Sequence, residues 1–368
     1  MERKAPLLVR FRERVVRLFI PTSFENALVA TNFSLSRSEV MSNIRLALAL
    51  SSIIAALLWA VPAGAAHPHV RRIPAAAAAS QIRIPAAIRF RQERDRGLLV
   101  NAWISDSGPY VFAIDTGAGI SIISQNVVFG AAIPVSSSHQ KIQGGLSASP
   151  IVSDQEATID HLALGTSDNQ VPAKFVAAVA SRLPSGIDGI LDPADAFSPL
   201  GYSIDLPNRE LQAFDSKAQR LRVTDKLDGG TVVQWVRERG SNRPFVRLGD
   251  GRLALLDTGS GFGLAINETG AVAGMNHGKN GRGVRDLGGG RVESRRVAPA
   301  TVSIGDLVLR SVPTDILTGV ASDTPVILGR GALYPFRITF DPTARLIAIE
   351  PGKSRISPER GLTVSPRT

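Results

Sequence analysis

The chain has 368 residues, 44% hydrophobic and 20% charged, with a formal net charge of +10. That length holds two domains or one large one, and the absence of cysteine excludes disulfides, cysteine metal ligands and cysteine nucleophiles. The densest basic cluster, Arg89, Arg91, Arg94 and Arg96, is interrupted by Glu93 and Asp95. It reads as solvated surface rather than a nucleic-acid patch. Of the five histidines, only His67 and His69 stand at a ligand spacing, in a segment that reads as flexible. No metal and no cofactor is expected.

From Met41 the chain gives a short basic start, a 16-residue apolar run from Leu46 to Val61, and Ala63-Gly-Ala65. This order describes a secretory signal peptide over 41–65, cleaved after Ala65. The run is short for a bilayer span of roughly 20 residues. Periplasmic or secreted localisation is therefore expected, with an uncleaved membrane anchor over 46–66 as the alternative. Residues 1–40 are an N-terminal extension, readable as an upstream start that the cell does not use. Residues 66–87, rich in Ala, Pro and Arg, are a linker.

The pattern changes at Ile88. Ile88-Arg-Phe-Arg91 alternates as a half-buried strand does. Leu98–Ile104 is a second strand, Ser105–Pro109 a turn cluster, and Tyr110–Ile114 a third strand that ends at Asp115-Thr-Gly-Ala118. The same order returns in the second half: Val232–Trp235, a turn at Gly240–Pro244, Phe245–Leu248, a turn at Gly249–Gly251, then Leu253–Leu256 running into Asp257-Thr-Gly-Ser260. Asp115 and Asp257 are 142 residues apart. An acid at the end of a buried strand is costly unless it is paired or used, and each of these acids has the other as its natural partner. Two tight turns with Asp as turn former would be the simpler alternative.

The correspondence continues past the acids. Gly144-Gly145 and Gly288-Gly-Gly290 fall about 30 residues after their acids, each as a hairpin tip. Ala157–Gly165 parallels Ala300–Gly305, each as a strand ending in a Gly turn. Gly186–Leu191 parallels Thr324–Gly329, and the Asp-Pro hairpin of Tyr202–Leu211 parallels that of Ile338–Leu346. A repeat of this length marks a duplicated domain: lobe 1 over 88–216 and lobe 2 over 217–352, with 353–368 a disordered tail.

The twin Asp-Thr-Gly motifs inside apolar strands resemble the catalytic motifs of the pepsin and retropepsin families of aspartic proteases, over roughly residues 88–352. The resemblance implies an all-β fold of two homologous β-barrel lobes with a catalytic cleft between them. It also implies a monomer built as an intramolecular pseudo-dimer, and an endopeptidase acting on peptide or protein. Asp115 and Asp257 would be catalytic. Thr116, Gly117, Ala118, Thr258, Gly259 and Ser260 would support the catalytic loops, the threonines tying them together through hydroxyl bonds to the opposite backbone. Gly144, Gly145, Gly288, Gly289 and Gly290 would sit on flaps over the substrate.

Two departures stand out. Ile327-Leu328-Gly329 matches the family's apolar-apolar-Gly segment, but Asp192 takes the Gly position after Ile190-Leu191. None of the tyrosines, Tyr110, Tyr202 and Tyr334, lies near Gly144, where a pepsin-like flap has one. Ser260, but not Ala118, offers a hydroxyl to its acid. On that difference the shared proton is expected on Asp115, with Asp257 the more ionised partner. The competing functions are a non-catalytic, peptide-binding bilobed protein of the envelope and a polyanion- or surface-binding protein.

Overall fold

The computed structural model describes residues 82–138, 142–143, 146, 150–151, 153–172, 174–238, 241–270, 279–280, 284–285, 291–353 and 363–366. All of these belong to one unit, Ala79–Thr368. The signal peptide 41–65, the extension 1–40 and most of the linker lie outside the described residues. The linker's last residues are in place: Ala86 N–H donates to Asn169 Oδ1 (2.8 Å), and Asn169 Nδ2 donates back to Ala86 O (3.2 Å).

The architecture is all-β. In the first half, Gly97–Ile104 is buried along nearly its whole length and pairs antiparallel with Ser107–Ile114. The turn between them uses only Ser105 and Asp106, both left-handed (φ 49° and 68°). This is shorter than the Ser105–Pro109 cluster predicted, because two left-handed residues suffice for a hairpin that follows the strand twist.

Each acid lies at the end of one strand in a four-strand pattern. In the first half the order is Ser107–Ile114, Gly189–Leu191, Ile122–Ser124, Phe175–Ala180. In the second it is Leu253–Asp257, Val326–Gly329, Leu264–Asn267, Leu307–Thr318. In both, the short Ile-Leu strand runs parallel to the acid-bearing strand and antiparallel to the strand that follows the acid. The repeat read from the sequence is thus a repeat of topology. The short strands are apolar on both faces because they are central.

A six-stranded antiparallel sheet joins the halves, in the order Ile88–Arg89, Glu210–Phe214, Gly201–Asp205, Phe336–Asp341, Leu346–Pro351, Thr231–Gln234. At its middle Tyr202 pairs with Phe340 and Ile204 with Ile338. The Tyr202 and Phe340 rings stack with centroids 4.7 Å apart. The main apolar core runs through both halves, so 88–216 and 217–352 are halves of one unit sharing a sheet.

Three expectations are corrected. No closed barrel forms among the described residues: the first-half sheet ends at Leu162–Leu164 and Val135–Ser137, and in the second the Phe245–Arg247 end meets the Arg291–Ile304 strand only through a bridge between Leu248 and Ile304. Ala157–Gly165 is two strands, Gln155–Ile159 and Leu162–Leu164, pairing with different partners. The break falls at Asp160-His161, two successive exposed polar residues that end the period-two alternation. Finally, Thr363–Pro366 lies in the 353–368 segment expected to be a disordered tail, yet it pairs antiparallel with Leu307–Arg310. The backbone groups along that stretch of Leu307–Thr318 offer a ladder that any extended segment can extend.

Candidate active site

Asp115 and Asp257 arrive on equivalent strands and meet across two glycines. A Cβ on Gly117 would stand 2.7 Å from Asp257 Cγ, and one on Gly259 closer still to Asp115 Cγ. Any side chain at either position would collide with the opposite carboxyl, so only glycine lets the loops approach.

The threonines hold this approach in place. Thr116 Oγ1 donates to Leu256 O (2.6 Å) and accepts from Thr258 N–H (3.1 Å). Thr258 Oγ1 donates to Ile114 O (3.2 Å) and accepts from Thr116 N–H (3.1 Å). Both side chains are fully buried. Each hydroxyl spends its proton on one strand end and a lone pair on the next amide, so the four bonds fix both loops reciprocally.

The carboxyls differ in their surroundings. Asp115 accepts from Gly117 N–H at Oδ1 (2.8 Å) and from the Gly259 N–H across the interface. Asp257 accepts from Ser260 N–H at Oδ1 (2.9 Å). Both residues keep slight solvent contact but are densely surrounded by protein. Burial raises both acids above the usual carboxylate range. For Asp257 burial and the negative charge of Asp115 together push it to about 8, and its carboxyl donates to Asp115. For Asp115 the two amides and that donated bond oppose the rise. The pair therefore holds one proton, on Asp257, with Asp115 the ionised partner.

This reverses the expected asymmetry. Ser260 Oγ accepts from Phe262 N–H (3.3 Å), and the bond to Asp257 comes from the Ser260 amide instead. Ala118 has no such role: its N–H reaches only Asp115 O (3.4 Å). The hydroxyl is the difference visible in the sequence, but the amides decide.

No protein-family model matches the chain, and no curated protein matches it. Among solved structures, the chain is similar to an aspartic proteinase from Irpex lacteus at 16% identity and a TM-score of 0.44, over 73% of this chain and 97% of that one.

Two charged residues beside the dyad complete the site. Arg330, for which the sequence alone raises no expectation, is buried directly after Val326–Gly329. Its Nη1 donates to Thr258 O (2.6 Å) and Gly259 O (2.9 Å). The signal that could have found it is a cation placed immediately after a buried apolar strand, where a charge needs a reason.

Asp192 occupies the equivalent region of the first half. It is buried, and its Oδ1 accepts from Ala194 N–H (2.9 Å), capping the short helix Pro193–Phe197. Burial, then the neighbouring Asp195, raises Asp192 well above the carboxylate range. Asp195 in turn accepts from Ser121 N–H and Oγ–H (3.0 and 3.2 Å). The departure at Asp192 is thus a helix cap by an acid that burial raises well above the carboxylate range.

The expected flap glycines, Gly144, Gly145 and Gly288 to Gly290, lie outside the described residues. The strands leading to them pair as hairpins, Ile142–Gln143 with Pro150–Ile151 and Val284–Arg285 with the start of Arg291–Ile304. Beside each acid lies a small apolar cluster separate from the main core. Ile122, Ala178, Ala180 and Ile190 form one; Ala265, Val292, Leu317 and Ile327 form the other, with Leu146 packed against it.

Proposed function

We propose that the chain is an aspartic endopeptidase. One observation carries this reading: two carboxyls from repeated Asp-Thr-Gly turns face one another across bare glycines, a closeness at which they are expected to share one proton. That is the requirement for activating water without a metal or a nucleophilic side chain. Two like acids this close cannot both ionise, which is the general behaviour of aspartic protease dyads.

Ionised Asp115 takes a proton from a water held between the carboxyls as the water oxygen attacks the peptide carbonyl carbon. Asp257 gives its proton to the carbonyl oxygen, so the tetrahedral intermediate is a neutral diol. When the C–N bond breaks, the proton now on Asp115 passes to the leaving nitrogen and a diol proton returns to Asp257. The dyad ends as it began, and one water has been consumed. The amides of Gly117 and Gly259 stabilise Asp115 while it is charged. We further propose that the chain is exported, with 41–65 removed.

Digestion of a denatured protein pool by the purified chain from Ala66 onward tests the reading. Cleavage is expected at acidic to neutral pH and should be blocked by a statine-type inhibitor. Absence of cleavage by a folded preparation at every pH tried would refute it.

A further inference from the structure

Resting on the reading of Asp115 and Asp257 as a proton-sharing catalytic pair, we propose that Arg330 is a positioning residue that supplies the counter-charge of the dyad and sets the pH at which it becomes active.

Arg330 begins the short helix Arg330–Leu333 and is 6% exposed. A buried guanidinium is costly unless a charge compensates it. Among the described residues, no carboxylate forms an ion pair with it. Its hydrogen bonds go to carbonyl oxygens: Thr258 and Gly259 through Nη1, and Arg94 through Nη2 (3.5 Å). The first two belong to the Asp257 loop and the third to the first half, so one side chain spans the two. Gly97 leaves the space it enters: a Cβ there would sit 3.3 Å from Nη1.

The charges in reach are few. On the strand beside Arg330, Asp315 is engaged with Arg296 (2.9 Å). Glu93 and Arg96, near the entry of Gly97–Ile104, pair with each other (3.5 Å). Asp192 and Asp195, both raised by burial, are not among the groups that act on Arg330. The negative charge within reach of Arg330 is the single charge of the dyad, and burial of the guanidinium is opposed by the two dyad acids alone. The geometry makes the relation mutual. Arg330 binds the Thr258 carbonyl, and the N–H of that same peptide unit, on Gly259, points at Asp115. The cation thus stabilises the monoanion both through space and by fixing the peptide that binds it.

Removing the charge should raise the pH at which the dyad loses its first proton. An opposite charge nearby lowers a carboxyl by about one to three units; acting past intervening carbonyls, Arg330 should supply about one. The test compares Arg330→Lys, which keeps the charge, with Arg330→Gln, which keeps donors without it. The readouts are the acidic limb of the kcat/KM profile and the carboxyl titration followed by NMR of the 13C-aspartate-labelled full chain. The Gln variant should move both upward by about one pH unit, and the Lys variant should stay within a few tenths. A folded Gln variant with an unmoved limb and titration would overturn the proposal. The NMR arm needs no turnover, so an inactive wild type would sink the protease reading and leave this one still tested. If the Gln variant does not fold, the double variant Asp115→Asn with Arg330→Gln decides. Removing anion and cation together should restore folding, and failure of the double variant as well would overturn the proposal.

Discussion

The placement of the shared proton makes Asp257→Asn and Asp115→Asn unequal. In the folded chain Asp257 keeps its proton up to about pH 8 because it is buried beside an ionised acid. In the unfolded chain it ionises near its ordinary value of 3.8. Between those values the folded state binds more protons, so this group's contribution is full below pH 3.8 and is lost as pH rises towards about 8. From about pH 4.5 to about pH 7 the loss is at most about 3–4 kcal/mol, at about 1.4 kcal/mol per unit. The slight solvent contact of the residue brings that to about 2–3 kcal/mol. Asn at 257 resembles the protonated acid, which can still donate to Asp115, and it removes this loss. Asn at 115 removes the ionised acceptor of two amides and the anion facing Arg330. Asp257→Asn should therefore be inactive yet more stable than wild type near pH 7, by about 2–3 kcal/mol relative to their difference near pH 4.5. Asp115→Asn should be inactive and less stable than wild type near pH 7. Urea unfolding across that range measures both. Parallel stability curves for wild type and Asp257→Asn, or a gain seen in Asp115→Asn instead, would refute the assignment. Asp192 is raised too; its shift cancels between wild type and Asp257→Asn, whereas Asp115→Asn also removes its smallest cause, the charge of Asp115.

Ala118→Ser tests, in the first loop, the correction made at Ser260. If the new hydroxyl follows Ser260 and accepts from the amide two residues on, the acidic limb of kcat/KM should move by less than about 0.3 unit; a downward shift near one unit would restore the hydroxyl account. Export is tested by N-terminal sequencing of the native protein, expected to begin near Ala66; a retained 1–65 segment in the membrane fraction would favour the anchor.

Much of the site was legible because it is repeated. Two apolar strands ending in Asp-Thr-Gly, each with an Ile-Leu strand some 70 residues on, fix the four-strand pattern in each half, and that pattern brings the acids together. The hairpins at Asp205 and Asp341 were legible for the same reason, and both carry a left-handed arginine, Arg209 and Arg345. What was not legible depends on orientation rather than residue type. The Ser260 hydroxyl can accept from one partner and donate to another, and nothing in the sequence says that it accepts from Phe262 N–H without also donating to Asp257. Arg330 looks like one of 42 basic residues until the fold buries it. Thr363–Pro366 has no alternating core pattern, and its strand is set by the ladder it meets.

The two halves also show why a repeat need not be interchangeable. At Gly329 the loop after Asp257 closes tightly: Gly329 N–H donates to Gly263 O (3.0 Å), Arg330 N–H to Ser260 O (2.9 Å) and Gly331 N–H to Phe262 O (2.9 Å). A Cβ at 329 would stand 2.5 Å from Phe262 O and 2.8 Å from Ser260 O, both backbone atoms that cannot turn aside. At Asp192 the equivalent amide donates instead to a side chain, Ser121 Oγ (3.1 Å), and the acid's own side chain turns back to cap Pro193–Phe197. The first half therefore has room for a side chain where the second has none. Gly329→Ala should cost about 1–3 kcal/mol, the usual range for forcing atoms into a packed site. Because the displaced carbonyl belongs to Ser260, whose amide binds Asp257, it should also lower kcat more than it raises KM. Asp192→Gly should cost a few tenths of a kcal/mol at acidic pH through the lost cap, and less as pH rises, because an acid held above its ordinary range in the folded chain loses its contribution with rising pH. Urea unfolding with steady-state kinetics on both variants separates the cases. A Gly329→Ala chain as stable and as active as wild type would show that the loop yields, and that the tight closure at 329 is not what holds Asp257.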